Sequence, residues 1–390
     1  MRRIFYFAPF VTDDLNIQYG QNHYVGAATT KIVGICSALR SVGVFPIIVT
    51  GMISLQVKRI ARFPKHAKAG GACVAVLFSM GHGLVKRMIA AWSFLFYAIR
   101  HVGVGDRVIL YNYFLEYILA ALYLRARGRP AILDIEDAPR LDEGGLRGFG
   151  NRILFPIFIF LCAKRYLTVS HQIAKLHNLN QYLAIYGVPR DFERVRNQRE
   201  KFSGERVHIL FGGSIMPETG LNLFREAVSL LAAQCPELPV KFFVTGGFPY
   251  QELVSLAREI ESSSSILIEV FSNLTAAEYM TLAANMDVGL SLKLPSEGIG
   301  QTTFPSKVIE YAGLGLLVCS TEVSDVPRLF DNTTAILLKS ESPEELAAAI
   351  VECEKNRQQS SLRARAGRDR VLEICARQKV GQNLVDLIYA

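Results

Sequence analysis

The 390-residue sequence has little that would make it disulfide-stapled, metal-bound or membrane-spanning. Its seven cysteines (Cys36, Cys73, Cys162, Cys235, Cys319, Cys353 and Cys375) are scattered, with no CxxC pair and no histidine at ligand spacing. That excludes a disulfide framework and a zinc site, and fits the reduced core thiols of a cytosolic protein. No segment reaches the roughly 18 consecutive apolar residues that would span a bilayer. The Met1–Phe10 stretch is unlike a signal peptide in that its short apolar run is broken by Pro9 and followed by Asp13 and Asp14. It reads as a first buried strand. No GxGxxG follows that strand, which argues against an ordinary dinucleotide oxidoreductase. No internal repeat is evident.

Acidic residues are scarce in the first half. Residues 1–190 hold 23 Lys+Arg against 9 Asp+Glu, a balance of +14, while the rest holds 20 basic against 26 acidic, a balance of −6. A basic half joined to an acidic one points to an anionic partner for the first. No motif for binding RNA or DNA accompanies the charge, so an anionic membrane surface is expected and nucleic acid is not. Three strongly apolar helical stretches with basic flanks support this: Leu84–His101, Phe114–Leu124 and Ile153–Ala163. The basic run Lys58–Lys68 precedes them. Aromatic residues among basic ones suit a lipid interface. Any one of these helices could equally be a core helix of a sheet layer.

What the chain does have is alternation. At this length two domains are the default. Strands are expected at Ile4–Pro9, Val44–Thr50, Val74–Phe78, Val108–Tyr111, Ala131–Ile135 and Tyr166–Ser170, with a helix over Gly26–Val42 ending at Gly43. Strands alternating with helices imply a parallel sheet covered on both faces, with ligands beyond the carboxyl ends of the strands. Phe10–Gly26, Asn112 and Glu136-Asp137 then lie on the functional rim. A charged stretch, Arg190–Arg206, reads as a linker, after which the alternation restarts at Val207. Ser342-Pro-Glu-Glu345 reads as a capping box with proline at the first helical position.

The second half carries the chemistry. Thr302–Gly315 (TTFPSKVIEYAGLG) predicts a helix with Pro305 in its first turn, Ser306 serving its start and glycines ending it, followed by a buried strand, Leu316–Ser320. Lys307 and Glu310 share one face of the first turn. A cation beside free amides suits a phosphate, and a carboxylate one turn on suits a ribose diol. Taken alone, the stretch fits an ordinary helix-start ion pair just as well. Gly212-Gly213 after the strand Val207–Phe211, and Gly246-Gly247 after Val240–Thr245, add two glycine turns where a backbone can approach a ligand closely. Together these features describe a pocket for a nucleotide diphosphate.

The order Phe-Gly-Gly-Ser…Thr-Gly-Leu (211–221), Thr-Gly-Gly (245–247) and Phe-Pro-Ser-Lys-x-x-Glu-Tyr-x-x-x-Gly (304–315) resembles the C-terminal half of retaining GT-B glycosyltransferases of the family 4 type, the glycosyl transferases group 1. The resemblance implies an α/β chain of two Rossmann-like domains whose parallel sheets face each other across a cleft. Residues 1–190 would form a membrane-facing acceptor domain, 191–206 a linker, 207–370 the nucleotide-sugar domain, and 371–390 a helix packing back on the first domain. It implies a hexosyltransferase that moves a sugar from a nucleotide-sugar to a glycan or lipid-linked acceptor with retention. That chemistry would serve envelope or exopolysaccharide synthesis at the inner face of the plasma membrane. Glu310 would bind the ribose hydroxyls. Gly213, Ser214, Gly246, Gly247 and the amides around Pro305-Ser306 would hold the diphosphate, with Lys307 nearby and Gly26 approaching from the first domain. No metal or other cofactor is implied, so dipoles and side chains must stabilise the departing diphosphate.

The sequence departs from that pattern in three places. Thr302 stands where an acidic residue is usual, Ser214 and Thr219 stand where a basic pair is usual, and Glu136-Asp137 stands where a histidine is common. Lys307, and Lys293 in the Leu292–Gly298 loop, are the cations left to compensate. Asp134, Glu136 and Asp137 are either caps of the next helix, or Glu136 or Asp137 orients the acceptor hydroxyl or takes its proton. His23 and His171 read as ordinary loop and helix-start residues. A catalytically inactive glycan- or partner-binding protein of this fold, and a nucleotide-sugar epimerase, are the alternatives.

Overall fold

The computed structural model describes residues 2–11, 26–51, 65–69, 72–79, 83–139, 144–188, 199–247, 249–272, 274–297, 300 and 303–390. The loop before Gly26 with His23, most of the Lys58–Lys68 run, linker residues 190–198 and Thr302 lie outside them. The chain divides into two compact units, Met1–Val188 with Cys375–Ala390, and Pro189–Ile374.

The first unit is built on a sheet of β1 (Arg3–Phe7), β2 (Phe45–Thr50), β3 (Lys65–Ala69), β4 (Ala72–Val76), β5 (Arg107–Tyr111), β6 (Ile132–Ile135), β7 (Tyr166–Thr168) and β8 (Tyr182–Ala184), in the order β3-β4-β2-β1-β5-β6-β7-β8. The central strands are short apolar runs buried on both faces, which is why they read as continuous rather than alternating. β3 departs from the parallel expectation: it runs antiparallel to β4 on the sheet edge, within what reads in sequence as the end of a basic surface run. An edge strand carrying lysine is a common guard against pairing with another chain.

Helices α1 (Gly26–Ser41), α2 (Gly83–His101), α3 (Ile118–Ala126), α4 (Gly145–Leu161) and α5 (His171–Leu176) connect these strands. α2 buries Ala90, Ala91, Phe94, Tyr97 and Ala98. The Phe94 ring lies 5.0 Å from that of Phe7, and Tyr97 lies 6.0 Å from Phe5. Each such ring contributes about 1.5–3 kcal/mol through burial. The opposite face of α2 stays apolar yet exposed, so α2 is a core helix on one side only. α4 begins eight residues before the expected Ile153 and carries Pro156 inside it. From β1 the chain fills the sheet to one side, and from β5 to the other. The topological switch point therefore lies between β1 and β5.

The second unit repeats the plan with β9 (Val207–Ser214), α6 (Leu221–Gln234), β10 (Val240–Gly247), α7 (Tyr250–Ser263), β11 (Leu267–Phe271), α8 (Ala276–Ala284), β12 (Val288–Ser291), α9 (Lys307–Gly313), β13 (Leu317–Thr321), α10 (Val326–Leu329), β14 (Ile336–Leu338), α11 (Pro343–Lys355) and α12 (Arg357–Ile374). The sheet order is β11-β10-β9-β12-β13-β14, every pair parallel, which puts the switch point between β9 and β12. Ser342 caps α11 by accepting from the Glu345 amide. The reciprocal half of the expected capping box is absent: the Glu345 carboxylate accepts from the Lys339 and Ser340 amides at 2.9 Å instead. A last helix, α13 (Arg377–Tyr389), belongs to the first unit and packs on α1, burying Val380, Leu384 and Ile388.

Candidate functional site

In the second unit, β9 and β10 both end in glycines, in register: Gly213 faces Gly246 and Ser214 faces Gly247. Gly213 has φ +121° and Gly246 φ +125°. A Cβ on Gly246 would sit 2.0 Å from the Gly213 carbonyl oxygen, so two bare backbones touch where side chains would forbid it. The resulting concave turn lies on the switch-point edge of the sheet.

α9 faces this turn, but it starts later than the sequence suggests. Pro305 precedes the helix, Ser306 is its N-cap in αR geometry, and the Ser306 hydroxyl makes no capping bond. Four of the amides around Ser306 are bonded within the turn. Val308 donates to the Pro305 carbonyl, Ile309 and Glu310 donate to that of Ser306, and Ser306 itself donates to Phe304, all at 3.0–3.3 Å. With those four donors satisfied, anion binding falls mainly to side chains and to the glycine turn.

Those side chains converge. Lys307 Nζ lies 2.8 Å from Glu310 Oε1 and donates to the Tyr279 hydroxyl at 2.9 Å, 4.3 Å from that ring's centroid. The Tyr279 hydroxyl donates in turn to Glu310 Oε1 at 2.6 Å. The Lys307 stem passes beside Gly213, with Cε 3.5 Å from where a Cβ would stand, and the Tyr311 hydroxyl donates to the Gly212 carbonyl at 3.3 Å. Burial, and then Tyr311 and Glu310, pushes the Tyr279 phenol well above the ordinary tyrosine range, and burial and Glu310 raise Tyr311 against the opposing bond from Tyr279, so both stay neutral donors. Tyr279 belongs to no motif. It comes from α8, whose start is fixed by the Thr275–Glu278 capping box.

The positions that lack the expected cations are tied to each other. The Thr219 hydroxyl donates to the Ser214 carbonyl at 2.6 Å and accepts from the Met216 amide at 2.8 Å. Lys293 Nζ donates to the Thr303 hydroxyl, and its own carbonyl accepts from Thr321 at 2.5 Å.

The first unit holds a second cluster, beside its own switch point. Asp134, at the end of β6, is wholly buried. It accepts from the Tyr6 hydroxyl of β1 and, at 2.8 Å, from Lys31 Nζ of α1. Lys31 also donates to Glu136 at 2.5 Å. Asn112, at φ +56°, accepts from the Glu136 and Asp137 amides at 2.7 and 3.3 Å and so clamps their turn. Asparagine is one of the few residues that tolerates that conformation. Burial works against the Lys31 ammonium, but Asp134 and Glu136 outweigh it and hold its pKa above the ordinary lysine value. Burial raises the Glu136 pKa from its ordinary value, with Lys31 opposing. The helix-cap reading of these acids fails, because α4 starts with Gly144 at its N-cap and has no side-chain cap.

The structure thus brings Lys307, Glu310, Gly213, Ser214, Gly246 and Gly247 to one sheet edge. Glu136 and Asp137 lie in the other unit, where Gly26 opens α1. Among the described residues no three His, Cys, Asp or Glu side chains converge as metal ligands would.

Residues 206–356 match the family model described as glycosyl transferases group 1, a match confined to the second unit and covering less than half of the chain. No curated protein matches the sequence. Among solved structures, Alr3699/HepE from Anabaena, in complex with UDP and glucose, aligns over 98% of both chains with TM-score 0.68 and 14% identity. The fold is GT-B. The α,α-trehalose-phosphate synthase (UDP-forming) from Burkholderia xenovorans, in complex with glucose-6-phosphate, covers 100% of both chains at TM-score 0.69 and 13% identity. WaaG, a glycosyltransferase involved in lipopolysaccharide biosynthesis, covers 99% of both at TM-score 0.64 and 15% identity. In GT-B terms both clusters sit where open α/β sheets place ligands.

Proposed function

We propose that this GT-B chain is a hexosyltransferase that moves a sugar from a nucleotide-sugar to a glycan or lipid-linked acceptor with retention, in envelope or exopolysaccharide synthesis. The observation that carries the reading is the Lys307–Glu310 pair set against the Gly212–Gly213 turn at the switch point of the second unit. Glu310 takes the ribose hydroxyls. The glycine turns at Gly213-Ser214 and Gly246-Gly247, edged by Pro305 and Ser306, receive the diphosphate beside the Lys307 ammonium. That ammonium offsets the charge that develops on the leaving diphosphate, and no metal is called on. Glu136 or Asp137, in the first unit, orients the acceptor hydroxyl. UDP and glucose in the HepE structure make UDP-glucose the first donor to try. Glu310→Ala is expected to abolish donor turnover without loss of fold; unchanged turnover would overturn the assignment.

The finer reading places the enzyme peripherally on the cytoplasmic face of an anionic membrane. Along α2, Val85, Met88, Trp92, Phe96 and Ile99 form one exposed stripe, with Trp92 stacked on Phe96 at 5.9 Å. Phe149, Ile153 and Phe160 of α4 are exposed as well. Lys86, Arg87 and Arg100 flank the α2 stripe, and the basic balance of the first half supplies attraction to anionic headgroups.

One observation favours a second reading, a GT-B protein that binds but does not transfer. The Ser214–Thr219 turn closes on itself and offers no cation. Donor binding without turnover, under conditions that retain the fold, would select it.

A further inference from the structure

We propose that Tyr279 is a positioning residue that fixes the plane of the Glu310 carboxylate, so that one oxygen is engaged within the protein and the other faces the nucleotide ribose. The inference rests on the donor-site reading above. The Glu310 carboxylate receives the Tyr279 hydroxyl and the Lys307 ammonium on the same atom, Oε1, at 2.6 and 2.8 Å. Among the described residues no bond falls on Oε2, and the Glu310 side chain is 26% exposed. Oε2 is therefore the oxygen left to accept from a ribose diol, and twisting the carboxylate out of this plane would break two charge-assisted bonds.

Tyr279 also governs the cation. Its hydroxyl accepts from Lys307 at 2.9 Å, and its ring stands 4.3 Å from Nζ, so the ammonium is held beside the glycine turn. The ring packs on that turn: a Cβ on Gly212 would lie 3.4 Å from it. Tyr279 thus links the phosphate-side cation, the ribose-side anion and the glycine backbone, and α8 is anchored for this by the Thr275–Glu278 box, with bonds of 2.8 and 3.3 Å. A hydroxyl that donates to an acceptor-only carboxylate and accepts from a donor-only ammonium has its two roles fixed.

The test uses matched ligands that differ only at the ribose: UDP, ADP and GDP, each against its 2′,3′-dideoxy analogue, titrated calorimetrically into the full chain. Wild type is expected to bind at least one diphosphate, and to bind its dideoxy partner about tenfold more weakly or worse, as a lost charge-assisted hydrogen bond implies. In Tyr279→Phe, which keeps the ring, that gap should shrink to about threefold or less while the melting temperature holds, because a misaimed carboxylate gains little from the diol. Tyr279→His, which restores a donor, should recover part of the gap and stands in if the Phe variant unfolds. A wild-type gap in both variants, or equal weakening of both ligands, would overturn the proposal while leaving the donor site in place. Failure of every diphosphate to bind wild type would remove the donor site and this inference with it.

Discussion

Replacing Lys31 with methionine tests the physical account of the first unit most directly. The Lys31 side chain is 9% exposed and donates to a wholly buried Asp134 and a partly exposed Glu136. The substitution keeps the apolar stem and deletes only the ammonium. Asp134 then retains the Tyr6 hydroxyl, and Glu136 loses its described side-chain partner. Breaking a buried ion pair from one side costs about 3–5 kcal/mol, because the remaining charge is stranded. For a unit of this size that lowers the melting temperature by on the order of 10 °C.

The deficit should depend on pH with a definite sign. Burial already raises the Glu136 pKa, and Lys31 is what opposes it. Without Lys31 the carboxyl moves further up, so the folded variant holds that proton more tightly than the unfolded chain does. Its stability therefore rises, relative to wild type, as the pH falls toward 5. Calorimetric melts of both proteins at pH 8 and pH 5 give the comparison. A deficit below about 1 kcal/mol, or one that grows on acidification, would refute the stranded-charge account. Glu136→Gln added to the variant should recover part of the loss.

Three further outcomes are expected. Gly246→Ala forces a Cβ toward the Gly213 carbonyl at positive φ, so it should cost about 1–3 kcal/mol and abolish stabilisation by nucleoside diphosphates in a thermal shift; an unchanged shift would dissociate the glycine turn from ligand binding. His208 is lowered to about 4 by burial and then by Arg199, so the unfolded chain takes up a proton from about pH 6.5 downward while the folded one does not, and stability falls across that window. His208→Asn should flatten that limb of the melting curve against pH, and an identical limb would count against the assignment. Trp92→Glu with Phe96→Glu should reduce flotation with anionic vesicles at low salt on the order of a hundredfold, given the apolar burial of two rings; wild type that stays unbound would end the membrane reading.

The parts of the molecule legible in the sequence are those with a local cause. β2, β5 and β6 fall within a residue or so of their apolar runs, and the glycine turns announce themselves because only glycine permits the Gly213–Gly246 approach. Lys307 and Glu310 were visible as neighbours on one helical turn. Tyr279 and Lys31 were not, because they reach their partners across 31 and about 100 residues of chain with no periodic signal. The early start of α4 was hidden by Gly145, Gly148 and Gly150, poor helix formers that tertiary packing overrides. The Ser306, Val308, Ile309 and Glu310 amides are bonded within the turn for a geometric reason: an N-cap in αR closes it on its own carbonyls.

The return of α13 has a consequence for dissecting the molecule. The first unit is discontinuous in sequence, so the backbone passes between the units twice, near residue 188 and again at 374–375. A fragment ending at Val188 would leave the α1 surface that receives Val380, Leu384 and Ile388 bare to water. Chimeras that exchange the second unit must therefore graft residues 189–374 as an insertion with two junctions, and a single splice that also swaps the last sixteen residues would replace part of the recipient's own core.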